Sequence, residues 1–305
     1  MSDLLPNQTK TCTCQNKPTG PLQRILKPLE KDLGGFSVRR LLPAAAQKAV
    51  GPYVFFDHLG PVTFPPGAGI DVRPHPHIGL ATITYLLDGE ILHRDSLGSV
   101  QPIRPLAINL MTAGRGIVHS ERTPPQVRQG AHDLHALQLW IALPIADERC
   151  EPAFHHYPAE LLPERELAGG RVRVLIGSAF GLTSPVATKS DTLYVDLRLP
   201  AGACLELPQL VGDYALYTLA GELQVGGEAL PPQQMGILGS GGPTTLVATS
   251  ACHLVLIGGE SLGHRTVWWN LVASDHKLIE AAKSAWRERR FPPVPGETEF
   301  IPLPE

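Results

Sequence analysis

The chain has 305 residues, which is more than one hydrophobic core usually serves, so we expect two domains. Hydrophobic residues make up 43% of it and charged residues 18%, a balance typical of folded globular proteins. The formal net charge of −3 provides no basic field for nucleic acid or an anionic membrane, which argues against direct binding to either. A role through a protein partner stays open.

The first twenty residues are polar and predict a flexible tail over residues 1–20. They lack the basic region and apolar run of a signal peptide, and no apolar stretch of the chain has the length of a membrane-spanning helix. We therefore expect a soluble, cytoplasmic protein that does not associate with membranes. Cys12 and Cys14 form a Cys-x-Cys pair in the tail, but no second ligand pair stands nearby, which disfavours a metal or redox role there.

Strand-like segments begin near Ile25 and are separated by many of the 30 glycines and 30 prolines, which predicts short strands joined by turns. The segment 80–87 is rich in β-branched and aromatic residues, and Asp88-Gly89 after it predicts a hairpin turn. The other strands expected in this half are 37–42, 53–56, 90–94, 107–112, 117–121 and 134–143. Together these strands predict an all-β domain over residues 21–145.

A second set of strands follows, and it is expected at 171–176, 191–197, 214–219, 222–225 and 254–257. The hairpin Leu87-Asp88-Gly89-Glu90 resembles Leu219-Ala220-Gly221-Glu222, about 130 residues later. This self-similarity predicts an all-β fold with two tandem, related β-barrels. The second barrel is expected over residues 146–262.

Residues 263–305 are expected to form a C-terminal helix and tail. Ser274 or Asp275 can cap the helix, an apolar stripe runs along it, and Pro292-Pro293 stops it. The arginines near its end (Arg287, Arg289 and Arg290) are most simply the solvated face of that helix.

His75-Pro76-His77 and His119-Ser120-Glu121 carry the strongest functional signal in the chain. Within each group the two side chains are two residues apart, so in an extended strand both leave the same face. A lone histidine is more often a core or surface residue than a ligand. Two such pairs, each flanked by strand and turn signals, predict instead that three imidazoles and one carboxylate converge on one metal ion.

Imidazole nitrogen and carboxylate oxygen suit Fe, Mn, Co, Ni, Cu or Zn better than Mg or Ca. A six-coordinate divalent ion with four such ligands keeps two open positions for water, substrate or dioxygen. A tetrahedral zinc would be saturated by the same ligands and would become structural. The donor set alone does not choose among these metals.

The residues around the two pairs resemble the cupin superfamily. Gly69-x5-His75-x-His77 with Gly89 looks like its first motif, and Ala113-Gly114-x-Gly116 with His119 looks like its second. The pirin family is the closer resemblance, carried by His75-Pro-His-Ile-Gly79, Thr84-Tyr-Leu-Leu-Asp-Gly89, His93-Arg-Asp95-Ser-Leu-Gly98, Met111-Thr-Ala-Gly-Arg-Gly-Ile-Val-His-Ser-Glu121 and Leu134-His-Ala-Leu-Gln-Leu-Trp140. The likeness is specific over about residues 25–145 and looser beyond.

The pirin resemblance implies a bicupin fold with iron, or another divalent transition metal, in the first barrel only. It implies that the ligands are His75, His77, His119 and Glu121. Some pirin family members show quercetin 2,3-dioxygenase activity, opening a flavonol with dioxygen and releasing carbon monoxide. Others act as metal-dependent transcriptional coregulators that bind protein partners.

Several positions depart from the cupin pattern or lie outside it. Ala81 and Thr82 stand where many first cupin motifs have a glutamate, which leaves Glu121 as the lone carboxylate, and the second barrel has only His253. His93 and Asp95 are expected either to orient the ligands or to stabilise a turn. The remaining histidines considered for the pocket are more simply strand-end residues; they are His58, His132 and His135.

We therefore expect a dioxygenase of the quercetin 2,3-dioxygenase type that acts on a flavonol-like or other enolisable aromatic substrate. Glu121 is the expected catalytic residue and accepts the proton of the substrate hydroxyl. The alternative is a non-enzymatic, redox-sensing coregulator that acts through protein partners. A deep cavity above the metal favours catalysis, whereas a capped site favours regulation.

Overall fold

The computed structural model describes residues 21–32, 36–239 and 243–304. The predicted tail, with Cys12 and Cys14, lies outside these described residues. Up to Tyr157 the described chain forms β1 (Leu22–Leu26), β2 (Leu29–Asp32), β3 (Ser37–Leu42), β4 (Tyr53–Phe64), β5 (Asp71–His77), β6 (Leu80–Asp88), β7 (Ile91–Asp95), β8 (Val100–Ile103), β9 (Ile108–Thr112), β10 (Ile117–Arg122), the short helix α1 (Pro125–Arg128), β11 (His132–Ala142) and β12 (Ala153–Tyr157).

After a 3-10 turn (Ala159–Leu161) the chain continues with strands and ends with a longer helix. These elements are β13 (Glu164–Leu167), β14 (Gly170–Ile176), β15 (Ser178–Ala179), β16 (Leu182–Thr183), β17 (Thr192–Leu199), β18 (Cys204–Glu206), β19 (Asp213–Ala220), β20 (Leu223–Val225), β21 (Glu228–Leu230), β22 (Met235–Leu238), β23 (Thr245–Ala248), β24 (Cys252–Gly259), β25 (Thr266–Trp268), β26 (Leu271–Ala273) and α2 (His276–Arg287).

Each half of the chain builds one seven-stranded and one four-stranded antiparallel sheet. The first half has the orders β12-β9-β6-β11-β4-β3-β2 and β5-β10-β7-β8, and the second has β1-β22-β19-β24-β17-β14-β13 and β18-β23-β20-β21. The two halves thus repeat one arrangement, as the hairpin similarity predicts. The prediction of two tandem β-barrels is confirmed.

The two barrels exchange one strand each. β1 pairs with β22, with Ile25 opposite Gly236, although it precedes the first barrel in sequence. β12 pairs with β9, with Phe154 opposite Met111, although it follows residue 146. By strand pairing, β1 therefore belongs to the second barrel and β12 to the first. A division of the chain at residue 146 would assign them the other way round.

The two seven-stranded sheets contribute side chains to one shared apolar core. Its largest fully buried members come from both halves and include Tyr53, Tyr85, Tyr194 and Tyr217. A hydrogen bond from one of these tyrosines also links the two halves of the chain, because Tyr85 Oη donates to Asp196 Oδ2 at 2.6 Å. Fully burying one large apolar side chain stabilises a fold by about 1.5–3 kcal/mol, so this core holds the barrels together.

The C-terminal helix begins at a predicted cap and ends at Arg287, before the predicted stop at Pro292-Pro293. Asp275 is its N-cap and accepts from the Lys277 amide, while Ile279 and Ala282 are buried. The three arginines at and just after its end are exposed, as expected of a solvated surface; they are Arg287, Arg289 and Arg290. Within the described residues no helix is long and apolar enough to span a membrane.

Candidate metal centre

β5 and β10 bring three of the four predicted ligands together. They run antiparallel, with His119 opposite His75 and Ile117 opposite His77. Alternation along β5 turns His75 and His77 to one face, and all three imidazoles are buried. One nitrogen from each ring lies within 4.8 Å of the others, so the three histidines form a candidate metal site.

Backbone carbonyls determine which ring nitrogen of His75 and His77 carries the proton. Nδ1 of His75 lies 2.9 Å from the Arg73 carbonyl oxygen, and Nδ1 of His77 lies 2.9 Å from that of Asn270. A carbonyl oxygen only accepts, so each Nδ1 donates its hydrogen. In the neutral imidazole the lone pair is then on Nε2, the atom left free to bind a metal.

Burial keeps the three rings in the form that binds metals. It lowers the pKa of His75 to about 4 and holds the pKa values of His77 and His119 well below 6.5. Nε2 of His77 and Nε2 of His119 lie 3.1 Å apart. Two ligands at right angles around an ion with metal–nitrogen bonds of about 2.1 Å lie roughly 3.0 Å apart, so the observed spacing fits a shared cation.

Glu121 lies beside the three histidines rather than among them. The strand register shifts between His119 and Glu121, and the Glu121 carboxylate lies within 4.8 Å of nitrogens on His93 and His119. The Thr84 hydroxyl lies 3.3 Å from Glu121 Oε1. Burial raises the pKa of Glu121, while His93 and the Thr84 hydrogen bond act against that rise. The carboxylate therefore faces the same site from its edge.

A cavity of about 410 Å³ opens over these side chains. Phe55 and Trp140 stack in its wall with ring centroids 3.9 Å apart, and His77 packs edge-on against Trp140. The Arg40 guanidinium lies over the Phe55 ring, 4.5 Å from its centroid. The lining combines aromatic and apolar side chains with polar and charged ones, and it includes His75, His77, His119, Glu121, Phe36, Ile70, Ile91, Thr84, Gln138, Trp269, Ile301, Asp57, Asp71 and Arg73.

Sequence reasoning missed the part of this wall that comes from the C-terminal segment. Trp269, Asn270 and Ile301 line the cavity, and the Ile301 amide donates to the Pro74 carbonyl at 2.8 Å. Trp269 has φ of 52°, which is rare for a bulky residue. The Trp268-Trp269-Asn270 run is the sequence feature that could have indicated this part of the wall. It lies far in sequence from the predicted ligands, so its place at the cavity could not be predicted.

The other predicted histidines divide into one neighbour of the site and several distant residues. His93 Nε2 lies 3.0 Å from Asp95 Oδ2, and Asp95 Oδ1 accepts from the loop amides that follow, so this pair both contacts the site and stabilises a turn. His58, His132, His135 and His253 do not line the cavity. In the described residues of the second barrel no group of three metal-ligating side chains comes together.

Comparison with known proteins agrees with this architecture. The family model "Pirin" matches residues 35–141, and that of the "Pirin C-terminal cupin domain" matches residues 194–292. A pirin-like protein of Caulobacter vibrioides is 44% identical over 90% of this chain and 96% of its own length. The chain belongs to the pirin family. Its two barrels are therefore cupin barrels, followed by a C-terminal helix.

Solved structures extend the comparison of this pirin. A crystal structure of quercetin 2,3-dioxygenase from Acinetobacter baumannii superposes with a TM-score of 0.85 at 36% identity, covering 92% of this chain and 95% of that chain. A bacterial pirin of Escherichia coli, solved in complex with nickel(II), has a TM-score of 0.62 at 16% identity and covers 78% and 99%. The second likeness bears on the fold alone.

Proposed function

We propose that this pirin is a metal-dependent dioxygenase of the quercetin 2,3-dioxygenase type, acting on a flavonol-like or other enolisable aromatic substrate. The observation that carries the proposal is the cluster of three buried histidines on the wall of an aromatic-lined cavity of about 410 Å³. Cavities of this size and lining bind small ligands. The Acinetobacter baumannii quercetin 2,3-dioxygenase, at 36% identity, supports the same reaction class.

The proposed ligands are His75, His77, His119 and Glu121, and iron is the proposed metal. Manganese, cobalt, nickel, copper and zinc fit the same donors. A metal held by these residues would act as a Lewis acid on the substrate hydroxyl and would make the substrate reactive towards dioxygen. The spacing of 3.1 Å between Nε2 of His77 and Nε2 of His119 supports their part in this set.

The remaining steps belong to the side chains of the cavity. The Phe55–Trp140 stack and Trp269 hold the flat substrate and exclude water from it. Glu121 accepts the proton of the substrate hydroxyl, and its place on the cavity wall beside Thr84 supports this role. One dioxygen is consumed and one carbon monoxide is released for each flavonol opened.

Oxygen uptake tests the proposal directly. Protein loaded anaerobically with Fe, Mn, Co, Ni or Cu should consume dioxygen only after a flavonol is added, with carbon monoxide formed in equal amount. His75→Ala should lose both metal and uptake, because it removes one of three nitrogen ligands. Exposed His155 offers the matched control, and His155→Ala should keep both. No uptake with any metal would rule out the flavonol reaction.

The regulatory alternative makes a different prediction. A coregulator should bind a protein partner, lose it on chelation and turn over no small molecule. The open, aromatic cavity above the histidines favours catalysis over this role, because a site that only senses metal needs no room for a substrate. Capture of a defined partner that chelation abolishes, without oxygen uptake, would favour regulation.

A further inference from the structure

Arg73 brings a positive charge to the wall of the cavity above the candidate metal centre. It lies on β5 two residues before His75, it is exposed, and it lines the same cavity. The pairing of β5 with β10 shifts between His75 and Val72, so Arg73 falls at this irregularity. Irregular positions of this kind often re-aim a side chain beside a binding site.

Two carboxylates of the cavity wall already have partners of opposite charge. Arg40 donates through Nε and Nη2 to the two carboxylate oxygens of Asp57, both at 2.8 Å. Asp71 Oδ1 accepts from Arg122 at 3.1 Å and from Arg128 at 2.8 Å. These two carboxylates therefore do not neutralise any further cation of the wall.

Arg73 has no partner of this kind. Across residues 21–32, 36–239 and 243–304, its guanidinium forms neither an ion pair nor a hydrogen bond. The remaining charged residue of the lining is Glu121, a proposed ligand whose single negative charge a divalent ion outweighs. The wall that includes Arg73 and the proposed metal set is therefore positive, which favours an anionic ligand.

The distance between Arg73 and the histidines limits where the anion lies on such a ligand. Two residues of extended chain span at most about 7 Å, so the Cα atoms of Arg73 and His75 are no farther apart than that. This is on the order of the width of one or two fused aromatic rings. A flat ligand with its hydroxyl at the candidate metal centre therefore meets Arg73 with its far edge.

We propose that the substrate is an aromatic enol that carries a carboxylate one or two rings away from the reacting hydroxyl, and that Arg73 binds this carboxylate. The proposal names the substrate class of the same site and so rests on the proposed function. Arginine suits the role because its guanidinium is always charged and donates two parallel hydrogen bonds to a carboxylate.

A matched pair of ligands tests the role of the charge. 6-Hydroxy-2-naphthoate and 2-naphthol have the same flat, hydroxyl-bearing body and differ in one carboxylate. In calorimetric titrations of the metal-free protein at low salt, the carboxylate ligand should bind about three- to tenfold more tightly. Salt screens exposed charges, so about 0.5 M sodium chloride should reduce this preference. Equal affinities at low salt would overturn the proposal.

A second arginine provides the control variant. Arg73→Gln should remove the preference for the carboxylate and leave the affinity for 2-naphthol unchanged. Arg149 is also exposed, forms no ion pair within the described part of the chain, and does not line this cavity. Arg149→Gln removes the same charge from the molecule and should keep the preference. A preference that survives in Arg73→Gln, or an equal loss in both variants, would overturn the proposal.

Oxygen uptake separates this proposal from the proposed function. Binding to the metal-free protein requires neither metal nor turnover. If the preference depends on Arg73 but no flavonol is consumed with any metal, the proposed function fails and the carboxylate site stands. If flavonols are opened but the two naphthalene ligands bind equally, the proposed function stands and the role of Arg73 fails.

Discussion

Burial sets the charge of single histidines at two places in this pirin. In the candidate metal centre it keeps the rings of His75, His77 and His119 neutral. Between the barrels it does the same for His58, which lies between the Tyr217 hydroxyl and His135 Nε2, each at 2.7 Å. The sequence reveals which residues are histidines, but their charge depends on which atoms surround them.

The interface histidine should make stability depend on pH. Burial, then nearby His135, lowers the pKa of His58 to about 3, whereas the unfolded chain titrates near 6.5. Below pH 6.5 the unfolded chain therefore binds a proton that the native chain does not, and the free energy of unfolding falls as pH drops towards 3. Removing this group with His58→Gln should reduce the slope between pH 4 and 6 by up to about 1.4 kcal/mol per pH unit.

Urea unfolding at a series of pH values measures this slope. Exposed His155 is the control, and His155→Gln should leave the slope as in the wild type. An unchanged slope in His58→Gln would contradict the neutral, buried state of His58.

At the scale of elements, the candidate metal centre depends on the short hairpin of β25 and β26 as well as on β5 and β10. The carbonyl of Asn270, in the turn of this hairpin, orients His77. β26 also approaches the turn after β5, where the Val272 amide donates to the Ile78 carbonyl at 3.1 Å. Local patterns predict the hairpin strands poorly, since each has three residues.

Gly79 should be intolerant of a side chain because of this approach. It has φ of 65°, and a Cβ there would clash with the Val272 carbonyl oxygen. Gly98 has φ of 90° with nothing within 4 Å of such a Cβ. Both alanine variants bear a backbone cost of about 1 kcal/mol, but Gly79→Ala should lose at least about 2 kcal/mol more, as measured by urea unfolding. Equal losses would refute the close approach.

The positive φ of Trp269 should lower the stability of the fold, while its ring should contact the proposed substrate. Asparagine tolerates positive φ, so Trp269→Asn should keep the thermal midpoint near that of the wild type while flavonol binding weakens about tenfold. Trp268, whose ring lies 4.6 Å from the Lys283 ammonium, does not line the cavity. Trp268→Asn should show the opposite pattern, a lower midpoint with binding retained. Differential scanning calorimetry and quenching of protein fluorescence distinguish the two patterns.

At the scale of the whole molecule, the exchanged strands and the C-terminal segment make the two barrels interdependent. The first barrel needs β12 at the edge of its large sheet and Trp269, Asn270 and Ile301 over its cavity. The second barrel needs β1. Because the shared core joins both large sheets, neither half buries its apolar face alone.

A fragment of residues 21–145 should therefore fail to bind metal tightly. It retains His75, His77, His119 and Glu121 but lacks β12 and the Asn270 carbonyl. Mixing it with a fragment of residues 146–305 should restore nickel binding, measured by calorimetry, because the missing groups return. Tight binding by the first fragment alone would contradict this dependence.

The sequence by itself determined the fold class, the tandem barrels, a helix cap at Ser274 or Asp275 and the grouping of His75, His77 and His119. These features depend on short-range patterns: alternation along strands, turn residues, capping residues and ligands two residues apart. Only the tertiary structure decided the exchange of β1 and β12, the position of Glu121 at the edge of the site and the cavity wall around Trp269. These depend on contacts between residues far apart in sequence, and such contacts leave no local pattern.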